Sequence, residues 1–125
     1  MNRFFVAVSV ATGLVLLNAV PSYAQSAEAG QSVFKRDCAI CHEVVAGKNR
    51  TGPSLFGIVG RPAGSVPNFS YSNGNKASGL TWDTATLDRY LIAPRTVVPG
   101  TKMSYGGQKD DQKRRDLIAY LATLH

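Results

Sequence analysis

Three stretches of the chain repeat apolar residues at helical spacing. Between Ala27 and Cys41, the residues Gly30, Val33, Phe34, Cys38 and Cys41 fall on one side. Between Thr84 and Ala93, Leu87, Tyr90 and Leu91 form a stripe. Between Asp110 and Leu124, an apolar face is built from Leu117, Ile118, Tyr120, Leu121 and Leu124. Helix signals support the boundaries: Asp83 as N-cap and Pro94 as stop for the second, Asp110 and Asp111 in the first turn of the third. Gly30 inside a helix costs about 1 kcal/mol against alanine, which a close helix crossing would explain. No stretch alternates well enough for a strand. The expected class is all-α, with long turn-rich connections at Gly47–Asn75 and Val97–Gln108. Loops that long in a small domain need something to cover or to be covered by.

The first 24 residues read as a signal peptide. A short positive start is followed by a mostly apolar run over residues 4–20, and Ser22 and Ala24 offer the small residues of a cleavage site. The alternative is a retained membrane anchor, but 17 apolar residues are at the short limit for a span. Ser9, Thr12, Gly13 and Asn18 dilute them further. Cleavage after Ala24 leaves residues 25–125 as one exported domain, periplasmic and without membrane insertion. The net charge of +6 becomes +5 with the loss of Arg3. No run of four cations occurs, the densest point being Lys113-Arg114-Arg115. That argues against nucleic-acid binding and for a basic face that meets an acidic protein partner.

The chain has two cysteines, Cys38 and Cys41, in the sequence Cys38-Ala39-Ile40-Cys41-His42. C-x-x-C-H is the attachment signature of c-type haem. On a helical turn, positions i and i+3 share a face and i+4 lies beside them. Two thiols there can bond to one edge of a porphyrin while His42 points at the iron. A zinc site needs four ligands, or three and water, and the exported chain offers two cysteines and two histidines, of which His125 is the last residue. A thioredoxin-type pair needs a strand–helix context that is absent. The candidates for the sixth iron ligand are Met103, His125 and the lysines. Met103 stands in the loop sequence VPGTKMSYGG and is the only methionine besides the initiator. His/Met ligation is the arrangement of high-potential cytochromes, so Met103 is the expected sixth ligand. A haem enzyme would need a labile sixth position, against which Met103 argues.

In order, AGQSVFKRDCAICH, TGPSLFGIVGR, NFSYSNGNK, GLTW, PGTKM and DLIAYL resemble the motifs of class I cytochrome c, mitochondrial and bacterial cytochrome c2-type. The resemblance covers the whole exported chain. It implies the class I fold, small helices and long loops around one covalent haem c, and the activity of a monomeric one-electron carrier rather than an enzyme. It implies that Gly30 and Phe34 cross against Leu117 and Tyr120, and that the Pro53 carbonyl accepts the other N–H of His42. It places Tyr71 and Trp82 at a haem propionate with Arg61 nearby, and Asn75, Tyr90 and Thr101 around Met103. The implied partners carry acidic patches: a terminal oxidase, a cytochrome bc complex or a photosynthetic reaction centre. Lys35, Arg95, Lys102 and Lys109 are the docking cations. Asp37 and Thr96 stand where mitochondrial relatives have lysine, which makes this ring thinner.

Overall fold

The computed structural model describes residues 24–125. The expected signal peptide, apart from Ala24, lies outside the described residues. Among the described residues five helices form: α1 Ala27–Asp37, α2 Asn73–Ala77, α3 Thr84–Ile92, α4 Pro94–Val97 and α5 Asp111–Leu121. Among the described residues there is no strand, only an isolated antiparallel bridge between Pro62 and Thr81. None of these helices is long and apolar enough to cross a membrane.

Side-chain caps start four of the helices by satisfying backbone N–H groups that have no partner within the helix. Ser26 accepts from Ala29 N–H, Ser72 from Asn75, Asp83 from Thr86 and Asp110 from Lys113, at 2.7–3.1 Å. Asp110 therefore caps α5 instead of joining it, and the helix ends at Leu121, short of the expected Leu124. The expected first helix, Ala27–Cys41, also ends early, at Asp37. There Cys38 and Ala39 both donate to the Phe34 carbonyl, at 2.8 and 3.0 Å. That shared acceptor closes the helix and begins a separate turn. The short helices α2 and α4 fall within or beside the expected long connections, and Pro94 both stops α3 and opens α4.

α1 and α5 cross at Gly30. A Cβ at this position would overlap the Asp116 carbonyl and come within 2.9 Å of the Tyr120 Cβ. The backbones touch, and that closeness offsets the helix penalty of glycine. Phe34 and Tyr120 flank the crossing with ring centroids 5.5 Å apart, an aromatic pair in a favourable tilted arrangement. The Asp116 carboxylate caps it from the other side, accepting from Ser26 N–H at 2.8 Å and from the Gln112 amide at 2.9 Å. α3 packs on α5, and Leu117 and Val98 are completely buried. The buried Arg114 guanidinium joins these parts. It donates to Asp88 of α3 at 2.7 Å, to Asp111 at 2.8 Å and to the Gln108 carbonyl at 3.1 Å. A buried charge needs such partners to be tolerated.

Gly30→Val is expected to lose roughly 3 kcal/mol, the upper end for an overpacked core position. The measurement is a lower guanidinium midpoint at unchanged slope. A midpoint equal to the parent's would mean that the two backbones do not need to touch.

Candidate haem site

The turn after α1 is closed by Cys41 N–H and His42 N–H, both donating to the Cys38 carbonyl at 3.0 Å. It places Cys38, Cys41 and His42 together on the wall of a cavity of about 340 Å³. Leu55, Ile58, Leu87, Leu91, Leu117 and Leu121 make most of the rest of that wall apolar. Burial first, and then the Asp37 carboxylate, push the Cys38 thiol up to about 12. A redox pair or a thiolate metal site needs the opposite shift. Among the described residues no group of three or more His, Cys, Asp or Glu is placed to hold a metal ion.

His42 is set for ligation. Its Nδ1 donates to the Pro53 carbonyl at 2.7 Å, which leaves Nε2 as the free lone pair. Burial lowers the pKa of the imidazole; the Pro53 bond opposes that, and Arg61 adds to it. The ring is thus neutral near pH 7, the form that binds a metal. Gly52 makes this possible: a Cβ there would overlap the His42 ring, lying 2.6 Å from Nδ1. The Gly52 N–H in turn donates to the Cys41 carbonyl at 2.9 Å, so the proline turn is fastened to the cysteine turn.

Met103 lines the same cavity. Its backbone N–H donates to Thr101 Oγ1 at 3.2 Å, and the Tyr90 hydroxyl points at its Sδ from 3.8 Å. Burial raises the Tyr90 pKa, so the hydroxyl stays a donor. Tyr90 packs on buried Trp82 with centroids 4.7 Å apart. Tyr71 packs edge-on against Phe69 at 4.8 Å, and its hydroxyl accepts from Val66 N–H at 3.2 Å. Arg61 donates through one terminal nitrogen to the carbonyls of Ser54 and Phe56, both at 3.0 Å. The Arg61 Nε and the Asn75 Oδ1 are buried without a protein partner, and both residues line the cavity. Such orphaned groups are costly unless a bound molecule meets them. Two thiols, a neutral imidazole, a thioether, an apolar wall and two orphaned polar atoms together fit a haem. His125 does not belong to this set. It is exposed, with Nδ1 3.2 Å from the Ala122 carbonyl.

The structure treats the expected docking cations unequally. All four are exposed. Lys102 Nζ donates to the Ser70 carbonyl at 3.2 Å, and Lys109 Nζ to the carbonyl of Ile92 at the end of α3. Asp37, expected to thin the ring from outside, is turned inward. It pairs with Arg36 at 2.6 Å and accepts from the Tyr105 hydroxyl at 2.8 Å and the Gln108 amide at 3.0 Å. The Arg36 bond, then those of Tyr105 and Gln108, hold its pKa low against burial. The sequence offers no signal for this contact, nor for Ser70. Gly52 was visible only as part of a turn.

A helical fold enclosing such a cavity, with paired thiols and an imidazole on one turn, defines a protein that carries a covalent haem. Residues 27–125 match the model of the cytochrome c family. The chain is 55% identical over 97 residues to cytochrome c2 of Rhodomicrobium vannielii, covering 77% of each protein. It is 48% identical over 95 residues to cytochrome c2 of Rhodopila globiformis, covering 76% of this chain and 90% of that one. Among solved structures it resembles cytochrome cH from Methylobacterium extorquens, with a TM-score of 0.74 and 44% identity over 78% of this chain and 98% of that one. The chain belongs to the cytochrome c family and has the class I all-α fold. It is an electron-transfer protein, not an enzyme, and its cofactor is one covalently attached haem c.

Gly52→Ala is expected to displace the His42 ring at a cost of about 1–3 kcal/mol. The measurement is the yield of haem-stained protein on a denaturing gel together with the unfolding midpoint. Parental values for both would mean that the glycine is not needed for the approach to His42.

Proposed function

We propose that the protein is a soluble periplasmic one-electron carrier with His42 and Met103 as the axial haem ligands. The observation that carries this reading is that His42, Met103, Cys38 and Cys41 all line one apolar cavity. Haem c supplies an iron that gains and loses one electron. The chain's task is to keep the ligand set constant through that change and to set its potential.

Each part has a residue assigned to it. Cys38 and Cys41 would hold the haem through thioether bonds. His42 would ligate the iron through Nε2, its orientation and basicity fixed by the Pro53 carbonyl. Thr101 and Tyr90 hold Met103. Arg61, with Tyr71, Trp82 and Asn75, supplies the polar side of the crevice and offsets propionate charge. The leucines of α3 and α5 exclude water. With both ligands protein-borne, no position is left for a substrate, in keeping with a carrier. Lys35, Arg95, Lys102 and Lys109 form the face for an acidic partner. A photosynthetic reaction centre, a cytochrome bc complex or a terminal oxidase is the kind of partner such a face would meet. Export follows from the N-terminal signal, with cleavage after Ala24 and a monomeric product.

Met103→His tests the ligand set. The haem is expected to stay low-spin and its potential to fall, because imidazole is the better donor to ferric iron. A redox titration and the ferric spectrum read this. Retention of the sulfur-to-iron absorption band in the variant would remove Met103 from the iron.

Docking is tested by ionic strength. Shortening the Debye length from about 10 Å to about 3 Å is expected to slow bimolecular electron transfer to an acidic partner. Stopped-flow rates that stay flat or rise would contradict a cationic docking face.

A further inference from the structure

The segment that follows Met103 has little backbone support. From Ser104 to Gly107 no backbone N–H or carbonyl is hydrogen-bonded within the described protein. The chain is fixed again only at Gln108, whose N–H donates to the Leu91 carbonyl at 2.7 Å. Across this gap, apart from the close packing of the Gly107 backbone on the Leu91 and Ile92 carbonyls, its hold on the body of the protein comes from side chains. The Tyr105 hydroxyl and the Gln108 amide converge on one oxygen of Asp37, at 2.8 and 3.0 Å. Asp37 is the last residue of α1 and directly precedes the first haem cysteine. Its side chain is only 13% exposed, although Arg36 beside it is 56% exposed. A carboxylate accepting two such bonds holds its donors more firmly than a neutral acceptor does.

We propose that Asp37 is a positioning residue for the Met103 loop: its carboxylate, bridging Tyr105 and Gln108, fastens the loop to the cysteine-bearing end of α1 and sets how readily the methionine leaves the iron. The proposal rests on Met103 being the sixth ligand. Opening the loop exposes the sixth position, and an outside ligand can bind only to that open state. Its apparent affinity therefore falls by the fraction of molecules that are open. A clasp that favours the closed loop lowers this affinity without touching the iron. Asp37 sits at the end of the helix that crosses α5, and it transmits the rigidity of that crossing to a loop whose backbone is not hydrogen-bonded from Ser104 to Gly107.

The test is imidazole titration of the ferric holoprotein, followed through the sulfur-to-iron band. Asp37→Ala is expected to bind imidazole about 10-fold more tightly, which is about 1.4 kcal/mol. Tyr105→Phe, which removes a single hydroxyl, should act in the same direction. In the double variant the two effects should add to less than their sum, since both break the same contact. Asp37→Asn keeps an acceptor oxygen and should restore part of the parental resistance. Arg36→Ala removes the ion pair but not the clasp, and should stay within about twofold of the parent, because an exposed ion pair contributes little. A merely structural role would move the unfolding midpoint of all these variants without this order in imidazole affinity. Parental affinity in both Asp37→Ala and Tyr105→Phe, with the band present, would overturn the clasp alone. Absence of the band from the parent protein would overturn Met103 ligation, and the clasp with it.

Discussion

α1 and α5 approach until the Gly30 backbone meets the Asp116 carbonyl, and most of the architecture is placed by that contact. α1 leads directly into the turn of Cys38, Cys41 and His42. α5 supplies Leu117 and Leu121 to the wall of the same cavity. The distance between the cysteine turn and the rear of the cavity is thus set by one backbone-to-backbone contact. The aromatic contact of Phe34 with Tyr120 and the Asp116 caps hold its angle. A small domain has little core to spare, and here much of the interior is a pocket. The crossing compensates by being tight, and the buried Arg114 extends its hold to α3.

The site is assembled in the same manner, by turns fastened to turns. Gly52 ties the proline turn to the cysteine turn, and Pro53 sets the imidazole. Thr101 holds Met103 by its backbone, and Tyr90, seated on Trp82, reaches its sulfur. None of these contacts is large. Together they place a soft neutral donor and a neutral nitrogen donor around one cavity, and they leave Arg61 Nε and Asn75 Oδ1 buried without a partner on residues that line it.

Periodicity and capping chemistry made α1, α3 and α5 legible, because each buries one apolar stripe. Their ends were less so: the Phe34 carbonyl, shared by Cys38 and Ala39, stops α1 four residues early, and no local residue announces that. α2 and α4 have five and four residues, too few for any period to show. Cys38, Cys41 and His42 were legible because covalent chemistry fixes their spacing. Met103 stood out by its rarity and its loop setting. Tyr71, Trp82, Arg61 and Asn75 came only from family resemblance, since their task depends on neighbours distant along the chain. The clasp was hidden for that same reason. Tyr105 and Gln108 lie 68 and 71 residues from Asp37, and an aspartate on a helix end reads as solvated until its partners are seen.

The lysines at the rim have a consequence for recognition. A free lysine sweeps its ammonium through a wide volume and loses rotamer entropy when a partner fixes it. Lys102 and Lys109 give up part of that freedom beforehand, because their ammonium groups donate to the backbone carbonyls of Ser70 and Ile92. Their charges are biased toward these positions, and the loop bearing Met103 runs between them in sequence. An acidic protein docking there, as proposed, would meet a partly ordered template, one that discriminates by the spacing of its carboxylates as well as by their number.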